Sequence, residues 1–331
     1  MSELPFDPVL GKGAEQIEVS NSEIQTFKSC RRRWYLGNYL GLAKKDKQMT
    51  GPLPLGTRIH DALEAYYTKD QDLIEAYNRL QRKDAQLFLM TEEADHEEKI
   101  KKFNSESELG LIMLEGYLDW LEEENEDSKI KVVSAEKKLE YNVEQFHDSR
   151  INIIGKVDMH VRRKEDGTTA IMDHKSAAPS GFNTYYMTSH MSEQLMLYCL
   201  LEELSGDGIK VDGGIYNLLK KVKRTGSAKP PFYERIDVRF NRHTMHAFWT
   251  RLMGTLDDMM RVRDALDQGA DHRFVAYPSP TKDCTWICPF FLVCPMMDDG
   301  SSADRMLEDQ YVQVDPLQRY KTEDENKENN G

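Results

Sequence analysis

A pair of short apolar segments joined by a tight turn constrains the fold of this chain more than any other stretch. Apolar and polar residues alternate between Ile151 and Val161, which is the period of a half-buried strand. The turn segment, residues 164–167, ends in Asp166-Gly167, a strong signal for a hairpin. A second apolar segment runs over 169–175. The sequence therefore predicts two strands paired as a β-hairpin.

Charged residues lie on both strands of this predicted hairpin. Asp173 and Lys175 are two residues apart, so their side chains point to the same face, and Asp158 lies on the partner strand. Two neighbouring carboxylates ionise together only at high cost unless a cation lies between them. A hard divalent cation with oxygen ligands suits that position. Because acid-x-lysine occurs elsewhere in the chain, a surface ion pair is the alternative interpretation of Asp173 and Lys175 taken alone.

The order of helical and strand patterns predicts a mixed α/β fold with a helical insertion near its start. The predicted helices cover residues 20–36, 57–68, 185–204 and 241–268, and the first opens on a Ser-x-x-Glu capping box. The predicted strands cover residues 132–143, 151–161, 169–175, 215–219 and 232–240.

Three segments of different composition suggest the domain organisation. We expect an irregular leader over residues 1–18 and one domain over 19–297. The domain includes the helical insertion, at about 70–126, and a cluster of cysteines at 284–294. The last segment, 298–331, is acidic and polar, so we expect a disordered tail.

The charge balance limits what the chain can bind. Its 331 residues carry a formal net charge of −13, which argues against a wholly basic nucleic-acid binder but leaves room for a local basic groove. Two basic patches are candidates for contact with phosphate, although a solvated surface is the alternative for each. The first contains Arg31, Arg32 and Arg33, and the second contains Lys220, Lys221, Lys223 and Arg224.

Targeting signals are not expected in this sequence. The first residues show no basic region followed by an apolar one, so we expect no signal peptide. No apolar run is long enough to span a bilayer. We therefore expect a soluble protein of an intracellular, reducing compartment, where disulfides are rare.

The cysteines then need an explanation other than disulfides. Cys284, Cys288 and Cys294 lie within eleven residues of one another, and Cys30 is a distant fourth, whereas Cys199 is a candidate buried apolar residue. Three thiols so close together predict metal or cluster ligation. Gaps of three and five residues, with one remote partner, favour a cubane iron–sulfur cluster, and zinc is the alternative. Either group would fasten the first helix to the far end of the chain.

Taken together, these residues resemble the PD-(D/E)XK nuclease superfamily, and within it the RecB-like branch that includes the CRISPR-associated exonucleases. The resemblance runs from about residue 19 to 295. Its motifs, in order, are Gly56-Thr57-Arg58-Ile59-His60, Gly155-Lys156-Val157-Asp158, Asp173-His174-Lys175, Gln194-Leu195-Met196-Leu197-Tyr198, and Cys30 with Cys284, Cys288 and Cys294. One departure is that three residues separate the first two late cysteines, where the branch usually has two.

The resemblance implies a restriction-endonuclease-like fold, in which helices flank a mixed central sheet and an iron–sulfur staple joins the N- and C-terminal parts. It implies that Asp158, Asp173, the His174 backbone carbonyl and His60 bind magnesium or manganese. It also implies that the four cysteines hold a [4Fe–4S] cluster.

The same resemblance implies catalytic roles for the remaining motif residues. Lys175 positions the attacking water or stabilises charge in the transition state. Gln194 and Tyr198 orient the DNA strand or Lys175. The two basic patches would track the DNA backbone.

We therefore predict a metal-dependent DNA exonuclease that acts on single-stranded ends in phage or bacterial recombination, repair or DNA processing. Its expected setting is the bacterial cytoplasm, with DNA and a recombinase or helicase as partners and no membrane association. One alternative is a structure-specific or site-specific endonuclease of the same fold. An alternative of another class is a non-catalytic interaction protein whose cysteines hold zinc.

Overall fold

The computed structural model describes residues 16–45, 50–89, 96–146, 149–205 and 209–321. Its helices are α1 (Asn21–Ser29), α2 (Arg31–Trp34), α3 (Pro52–Lys69), α4 (Leu73–Leu89), α5 (His96–Glu123), α6 (Pro179–Thr188), α7 (Glu193–Leu204), α8 (Arg242–Asp267), α9 (His272–Val275), α10 (Cys284–Ile287), α11 (Val293–Asp299) and α12 (Ala303–Gln310). Its strands are β1 (Gln16–Ser20), β2 (Leu42–Lys44), β3 (Ile130–Phe146), β4 (Ser149–Arg163), β5 (Thr169–Ala177), β6 (Val211–Lys220), β7 (Tyr233–Val238) and β8 (Tyr311–Gln313).

The chain divides into two compact units, neither of which is continuous in sequence. The first unit contains Met1–Lys47, Glu140–Gly155 and His246–Gly331, and the second contains Gln48–Leu139 and Lys156–Met245. The sequence predicts one domain over 19–297, and no change of composition marks these divisions. Three of the boundaries, at 139/140, 155/156 and 245/246, fall inside regular elements, β3, β4 and α8, where the hydrophobic pattern continues.

The second unit contains a mixed sheet built around the predicted hairpin. β4 and β5 are antiparallel, with Met159 opposite Met172. β5 and β6 are parallel, with Met172 opposite Ile215, and β6 and β7 are antiparallel. The turn between β4 and β5 needs a glycine, because Gly167 has a φ of +73°. The mixed α/β class predicted from the sequence is confirmed.

Helices cover both faces of this sheet. Leu218 and Leu219 are neighbours on β6, so their side chains point to opposite faces. Leu218 packs in a cluster with residues of α6 and α7, and Leu219 packs in a cluster with residues of α3, α4 and α5. The helices α4 and α5 lie in the segment where the sequence predicts a helical insertion. Burying each of these leucines stabilises the fold by about 2 kcal/mol.

A buried polar cluster joins α7 to β3 and β4 in the second unit. Glu202 on α7 is fully buried, and its two carboxylate oxygens lie 2.8 Å from His160 Nε2 and 2.9 Å from Lys137 Nζ. The other ring nitrogen of His160 lies 3.0 Å from Ser134 Oγ. Each of these polar groups therefore has a protein partner in place of water. The contacts of Glu202 hold α7 against the sheet.

The predicted helix over 185–204 is two helices. Pro179 stands at the first position of α6, where its fixed φ favours helix initiation, so the chain becomes helical earlier than predicted. A short 3-10 turn, Ser189–Met191, separates α6 from α7. Ser192 then caps α7 by accepting a hydrogen bond from the Leu195 N–H at 3.2 Å.

In the first unit, β1 pairs in parallel with the N-terminal half of β4. Ile17 lies opposite Ile151, and Val19 lies opposite Ile153. The prediction of an irregular leader is therefore wrong for residues 16–18, because burial of Ile17 supports a strand there. The rest of that leader, 1–15, lies outside the described residues.

The first predicted helix, over 20–36, is interrupted. Ser20 caps α1 as predicted, by accepting a hydrogen bond from the Glu23 N–H at 3.3 Å. Cys30 then adopts an extended conformation, with φ −161° and ψ 111°, and α2 begins after it. The Cys30 sulfur accepts a hydrogen bond from the Ser279 N–H at 3.4 Å, so a long-range contact accompanies the break.

The segment predicted as a disordered tail contains regular structure. α12 buries Leu307, and β8 pairs antiparallel with β2, with Tyr311 opposite Lys44. The prediction of disorder is wrong for these residues, because Leu307, Tyr311 and Tyr320 supply buried apolar side chains to an otherwise acidic segment. The remainder of the predicted tail, 322–331, lies outside the described residues.

The described helices include none with the length and apolar character needed to cross a bilayer.

Glu23 gives the first unit a pH-dependent stability. Its carboxylate is buried and accepts a hydrogen bond from Trp34 Nε1 at 2.9 Å. Burial raises the pKa of Glu23 from its ordinary 4.5, although the charge of Arg263 and the hydrogen bond from Trp34 oppose that rise. The folded state therefore holds this proton more tightly than the unfolded state, and stability falls as the pH rises from 4.5 through the raised pKa.

We expect Glu23→Gln to remove this pH dependence. The difference in free energy of unfolding, variant minus unmodified protein, should become more positive as the pH is raised from 4.5 to 8. Urea titrations at each pH measure this difference. Glu308→Gln, which changes an exposed carboxylate on α12, serves as the control and should show no such gain. A constant difference between the Glu23→Gln variant and the unmodified protein at all pH values would contradict the prediction.

Candidate active site

The hairpin of β4 and β5 brings the two predicted catalytic aspartates together. Because Met159 lies opposite Met172, Asp158 and Asp173 are the next residues along the two strands. Asp158 Oδ2 accepts a hydrogen bond from the His174 N–H at 2.8 Å. Asp173 is buried, with 2% of its surface exposed, whereas the Asp158 side chain is 19% exposed. The carboxylate of Asp158 is thus the more exposed of the two.

Four other predicted residues contact these carboxylates directly or through one partner. His60 Nδ1, on α3, lies 3.3 Å from Asp158 Oδ2, and Lys175 Nζ lies 2.5 Å from Asp173 Oδ2. Gln194 Nε2, on α7, donates to Asp173 Oδ1 at 3.2 Å and to the Tyr198 hydroxyl at 3.1 Å. The two α7 residues are one helical turn apart, which places them on the same face.

The charges of this cluster stabilise one another. Burial disfavours ionisation of Asp158, but the hydrogen bond and charge of His60 and the charge of Lys175 outweigh it, so the pKa of Asp158 lies below its usual range. Burial raises the pKa of Asp173, and Lys175 opposes that rise. Burial also disfavours the charged form of Lys175, yet the charges of Asp173 and Asp158 raise its pKa above the ordinary value. Lys175 therefore remains an ammonium at neutral pH.

The imidazole of His174 is held as a neutral ring. Its Nδ1 accepts a hydrogen bond from Asn217 Nδ2 at 2.8 Å, which leaves the proton on Nε2. Burial is the main cause that lowers the pKa of His174 to about 3. The ring stacks on Tyr67 with 5.8 Å between ring centres and 14° between planes. These contacts fix the position of the main chain that carries the His174 N–H and carbonyl.

A hydrogen-bond network behind His174 was not predicted from the sequence. Asn217 Nδ2 also donates to the Tyr117 hydroxyl at 2.9 Å. Arg235 donates from Nε to Asn217 Oδ1 at 3.4 Å and from Nη2 to the Tyr67 hydroxyl at 2.9 Å and to Asp127 Oδ1 at 2.5 Å. The one sequence signal is a polar residue, Asn217, inside the apolar run of β6, where a buried amide needs partners.

The donor set of this site suits a hard divalent cation. The two carboxylates offer oxygen atoms and the imidazole of His60 offers a nitrogen atom, a combination compatible with magnesium and favourable to manganese. Across the residues that the structure describes, no group of three or more His, Cys, Asp or Glu side chains is arranged to hold a metal ion. The carboxylates of Asp158 and Asp173 are compensated by His60 and Lys175.

The four cysteines proposed as cluster ligands belong to the first unit. Cys30 and Cys284 accept main-chain N–H groups, the latter from Thr281 at 3.3 Å. Burial raises the pKa of Cys288 and of Cys294, and the charge of Cys30 contributes to both shifts. The thiols are therefore close enough to influence one another and are not joined by disulfides. The iron–sulfur cluster stays a prediction, since the metal-holding arrangement is not found among the described residues.

Cys199 differs from these thiols, because it is buried on α7 and its sulfur contacts the Gly213 carbonyl at 3.4 Å. Burial raises the pKa of Cys199 from 9.0 to about 12. Since only the thiolate reacts, we expect alkylation of Cys199 in the folded protein at pH 8 to be at least ~10³-fold slower than in the unfolded chain. Mass spectrometry after iodoacetamide treatment, with and without urea, measures this ratio. Equal labelling in both conditions would contradict the burial of this side chain.

The first basic patch is engaged within the first unit. Arg31 forms an ion pair with Asp258. Arg32 is buried and pairs with Asp298 at 2.7 Å, so the prediction that it contacts DNA is wrong. A buried guanidinium needs a close counter-charge, and Asp298 provides it. Arg33 is half-buried, and its contact with DNA stays a prediction.

The second basic patch lies at and after the end of β6. Lys220 is buried, and its Nζ lies 4.7 Å from the centre of the Phe182 ring. Little of this side chain is therefore accessible to a ligand. Lys223 pairs with Glu108 at 2.6 Å, and Arg224 lies 3.8 Å over an aromatic ring. Lys221 is half-buried. Contact of this patch with DNA stays a prediction.

Comparison with known proteins supports the chemistry that this site suggests. The profile of the PD-(D/E)XK nuclease superfamily matches residues 18–295. The chain belongs to this superfamily. No curated protein matches it. Among solved structures, the crystal structure of SSO0001 is similar at 13% identity over 73% of this chain and 84% of that chain, with a TM-score of 0.31.

Membership of the PD-(D/E)XK superfamily makes this chain a nuclease, a hydrolase of phosphodiester bonds. Members typically use magnesium or manganese and bind DNA.

Proposed function

We propose that this PD-(D/E)XK protein is a metal-dependent DNA exonuclease that acts on single-stranded ends. The observation that carries the proposal is the convergence of Asp158, Asp173 and Lys175 at the hairpin of β4 and β5. The order of His60, the two aspartates, and the Gln194 and Tyr198 pair supports the RecB-like branch. By the same resemblance, we place the reaction in phage or bacterial recombination, repair or DNA processing, beside a helicase or recombinase.

The proposed ligands of the divalent cation are Asp158, Asp173, the His174 carbonyl and His60. When bound, such a cation lowers the pKa of a water molecule and polarises the scissile phosphate. The hydrogen bond from the His174 N–H keeps Asp158 Oδ2 facing His60.

Three side chains complete the proposed reaction centre. Lys175 is held as an ammonium by the carboxylates, so it supplies a fixed positive charge that orients the attacking water or stabilises negative charge on the phosphate. Gln194 holds Asp173 Oδ1, which leaves Oδ2 toward Lys175. Tyr198 accepts the second hydrogen bond of Gln194 and so fixes the orientation of its amide.

The four cysteines Cys30, Cys284, Cys288 and Cys294 are proposed to hold a [4Fe–4S] cluster with a structural role. Main-chain donors to two of the sulfurs support this, because such hydrogen bonds stabilise thiolate ligands. Purified protein should then be brown, with broad absorbance near about 400 nm. A colourless protein that contains one zinc ion would favour zinc in its place.

Digestion of end-labelled linear and circular single-stranded DNA tests the proposed reaction. Linear DNA should be shortened from its end in the presence of magnesium or manganese, while circular DNA should remain intact. Cleavage of the circle would favour an endonuclease of the same fold. Absence of metal-dependent cleavage on any of these substrates would contradict the proposal and favour the non-catalytic alternative.

A further inference from the structure

A serine and a lysine meet at the end of the sheet, next to the proposed reaction centre. Ser176 directly follows Lys175 on β5. Lys221 follows the parallel strand β6, and its N–H donates to the Ala177 carbonyl at 2.7 Å. Because β5 and β6 run in parallel, both residues lie at the carboxyl ends of these two strands. Ligands of α/β sheets usually bind at that end.

Gly56 on α3 leaves space for these two side chains. A Cβ at Gly56 would lie 3.2 Å from Ser176 Oγ and 3.7 Å from Lys221 Nζ, so both polar atoms converge on the main chain of α3. Gly56 and His60 are four residues apart and therefore share a face of the helix. One turn of α3, about 6 Å, separates this point from the proposed metal ligand.

The lysine at this point would benefit from an anion. Lys221 is half-buried, and burial lowers its pKa, while the charge of Glu106 opposes that change. The carboxylate of Glu106 also accepts the Gly51 N–H at 2.7 Å. A phosphate oxygen beside Lys221 would replace the water that burial removes from the ammonium group. The hydroxyl of Ser176 would donate a second hydrogen bond to the same phosphate.

We infer that Ser176 and Lys221, which lie beside α3 at Gly56, form a phosphate subsite for the phosphodiester next to the one that is cut. The inference rests on the proposed nuclease function and adds to it a place where the substrate strand is held. A contact one helical turn from His60 would fix the register of the strand at the reaction centre. Because phosphate is common to all nucleotides, the subsite would bind without regard to base sequence.

A binding measurement tests the subsite separately from catalysis. The probe is a fluorescent single-stranded oligonucleotide, titrated with protein without added divalent metal at several salt concentrations. Lys221→Gln should raise the Kd about tenfold at low salt and reduce the slope of log K against log salt by about 0.7, as expected for one lost phosphate contact. Gly56→Ala and Ser176→Ala should raise the Kd in the same direction. Lys69→Gln, at the exposed far end of α3, is the matched charge control and should change neither quantity.

A neutral linkage in the DNA locates the contact. A methylphosphonate moved one position at a time along the oligonucleotide removes one backbone charge. In the unmodified protein, the Kd should rise most at the linkage next to the cleavage position, and Lys221→Gln should cancel that rise. Additive effects of Lys221→Gln and the methylphosphonate at every linkage would overturn the inference, as would a Lys221→Gln variant that binds like Lys69→Gln.

The outcomes separate the two proposals. If the protein binds the oligonucleotide through Lys221 but cuts no DNA with either metal, the nuclease proposal fails, and Ser176 and Lys221 remain a phosphate-binding site without a place in a reaction. If it cuts DNA while Lys221 and the methylphosphonate act independently, the subsite fails and the nuclease proposal stands. Circular dichroism of each variant identifies any that fail to fold, and Lys221→Gln and Ser176→Ala are independent of the steric change at Gly56.

Discussion

Asp173→Asn is expected to reduce the rate of DNA hydrolysis by about 10³-fold or more. The substitution keeps the shape of the side chain and an acceptor for Gln194, but it removes the negative charge that pairs with Lys175 and that is proposed to bind the cation. Lys175→Met should cause a loss of similar size, because the site then lacks its fixed ammonium. Single-turnover rates with manganese, measured at saturating protein, report this step free of any change in binding.

Two measurements make the expected loss interpretable. Glu97→Gln changes the same acid-x-lysine pattern on the exposed start of α5 and should leave the rate within about twofold, because this exposed carboxylate is not part of the proposed reaction centre. Thermal unfolding should show that Asp173→Asn remains folded, since the amide keeps the shape of the side chain and Asp158 still provides a counter-charge for Lys175. An Asp173→Asn protein that cuts DNA at the unmodified rate would remove this residue from the reaction centre.

Glu202→Ala is expected to lower the free energy of unfolding by about 3–5 kcal/mol. Glu202 is fully buried and is the common partner of His160 and Lys137, so its removal leaves two polar groups without their carboxylate. Because α7 also carries Gln194 and Tyr198, loss of its anchor should reduce hydrolysis as well. Urea-induced unfolding, followed by circular dichroism, measures the stability change.

An exposed ion pair of the same unit provides the control for Glu202. Glu108 lies 2.6 Å from Lys223, with 61% of its side chain exposed, and Glu108→Gln should change stability by no more than about 0.5 kcal/mol. Glu202→Gln should fall between the two, because the amide keeps one acceptor for a hydrogen bond. A Glu202→Ala variant no less stable than Glu108→Gln would mean that the cluster does not anchor α7.

Local patterns were sufficient to predict the hairpin that carries the proposed site. The alternation around Val157 and the Asp166-Gly167 turn defined a hairpin, and the period of a strand then placed Asp173 and Lys175 on one face. These rules work because they depend on the geometry of neighbouring residues alone. The match to residues 18–295 confirms the PD-(D/E)XK superfamily, and the RecB-like branch stays a prediction.

Contacts between distant residues were beyond such rules. Nothing in the pattern of β6 indicates that Asn217 bonds to His174, or that Arg235 reaches Asp127. The burial of Arg32 was missed for a similar reason, since its counter-charge, Asp298, is remote in sequence. The average composition of the tail predicts disorder because it is mostly acidic and polar. The few apolar side chains that pack, such as Leu307, change that average little. Partners set by tertiary structure override local preference in each case.

The two compact units also bear on how the protein is made. Since the first unit draws on residues before 48 and after 245, β1 and Cys30 leave the ribosome long before the segments that share their unit. The second unit has all its residues once the chain has been translated to 245. We therefore expect folding to begin in the middle of the sequence and finish with its two outer parts, and a translation product that stops before α8 should be a target for proteolysis.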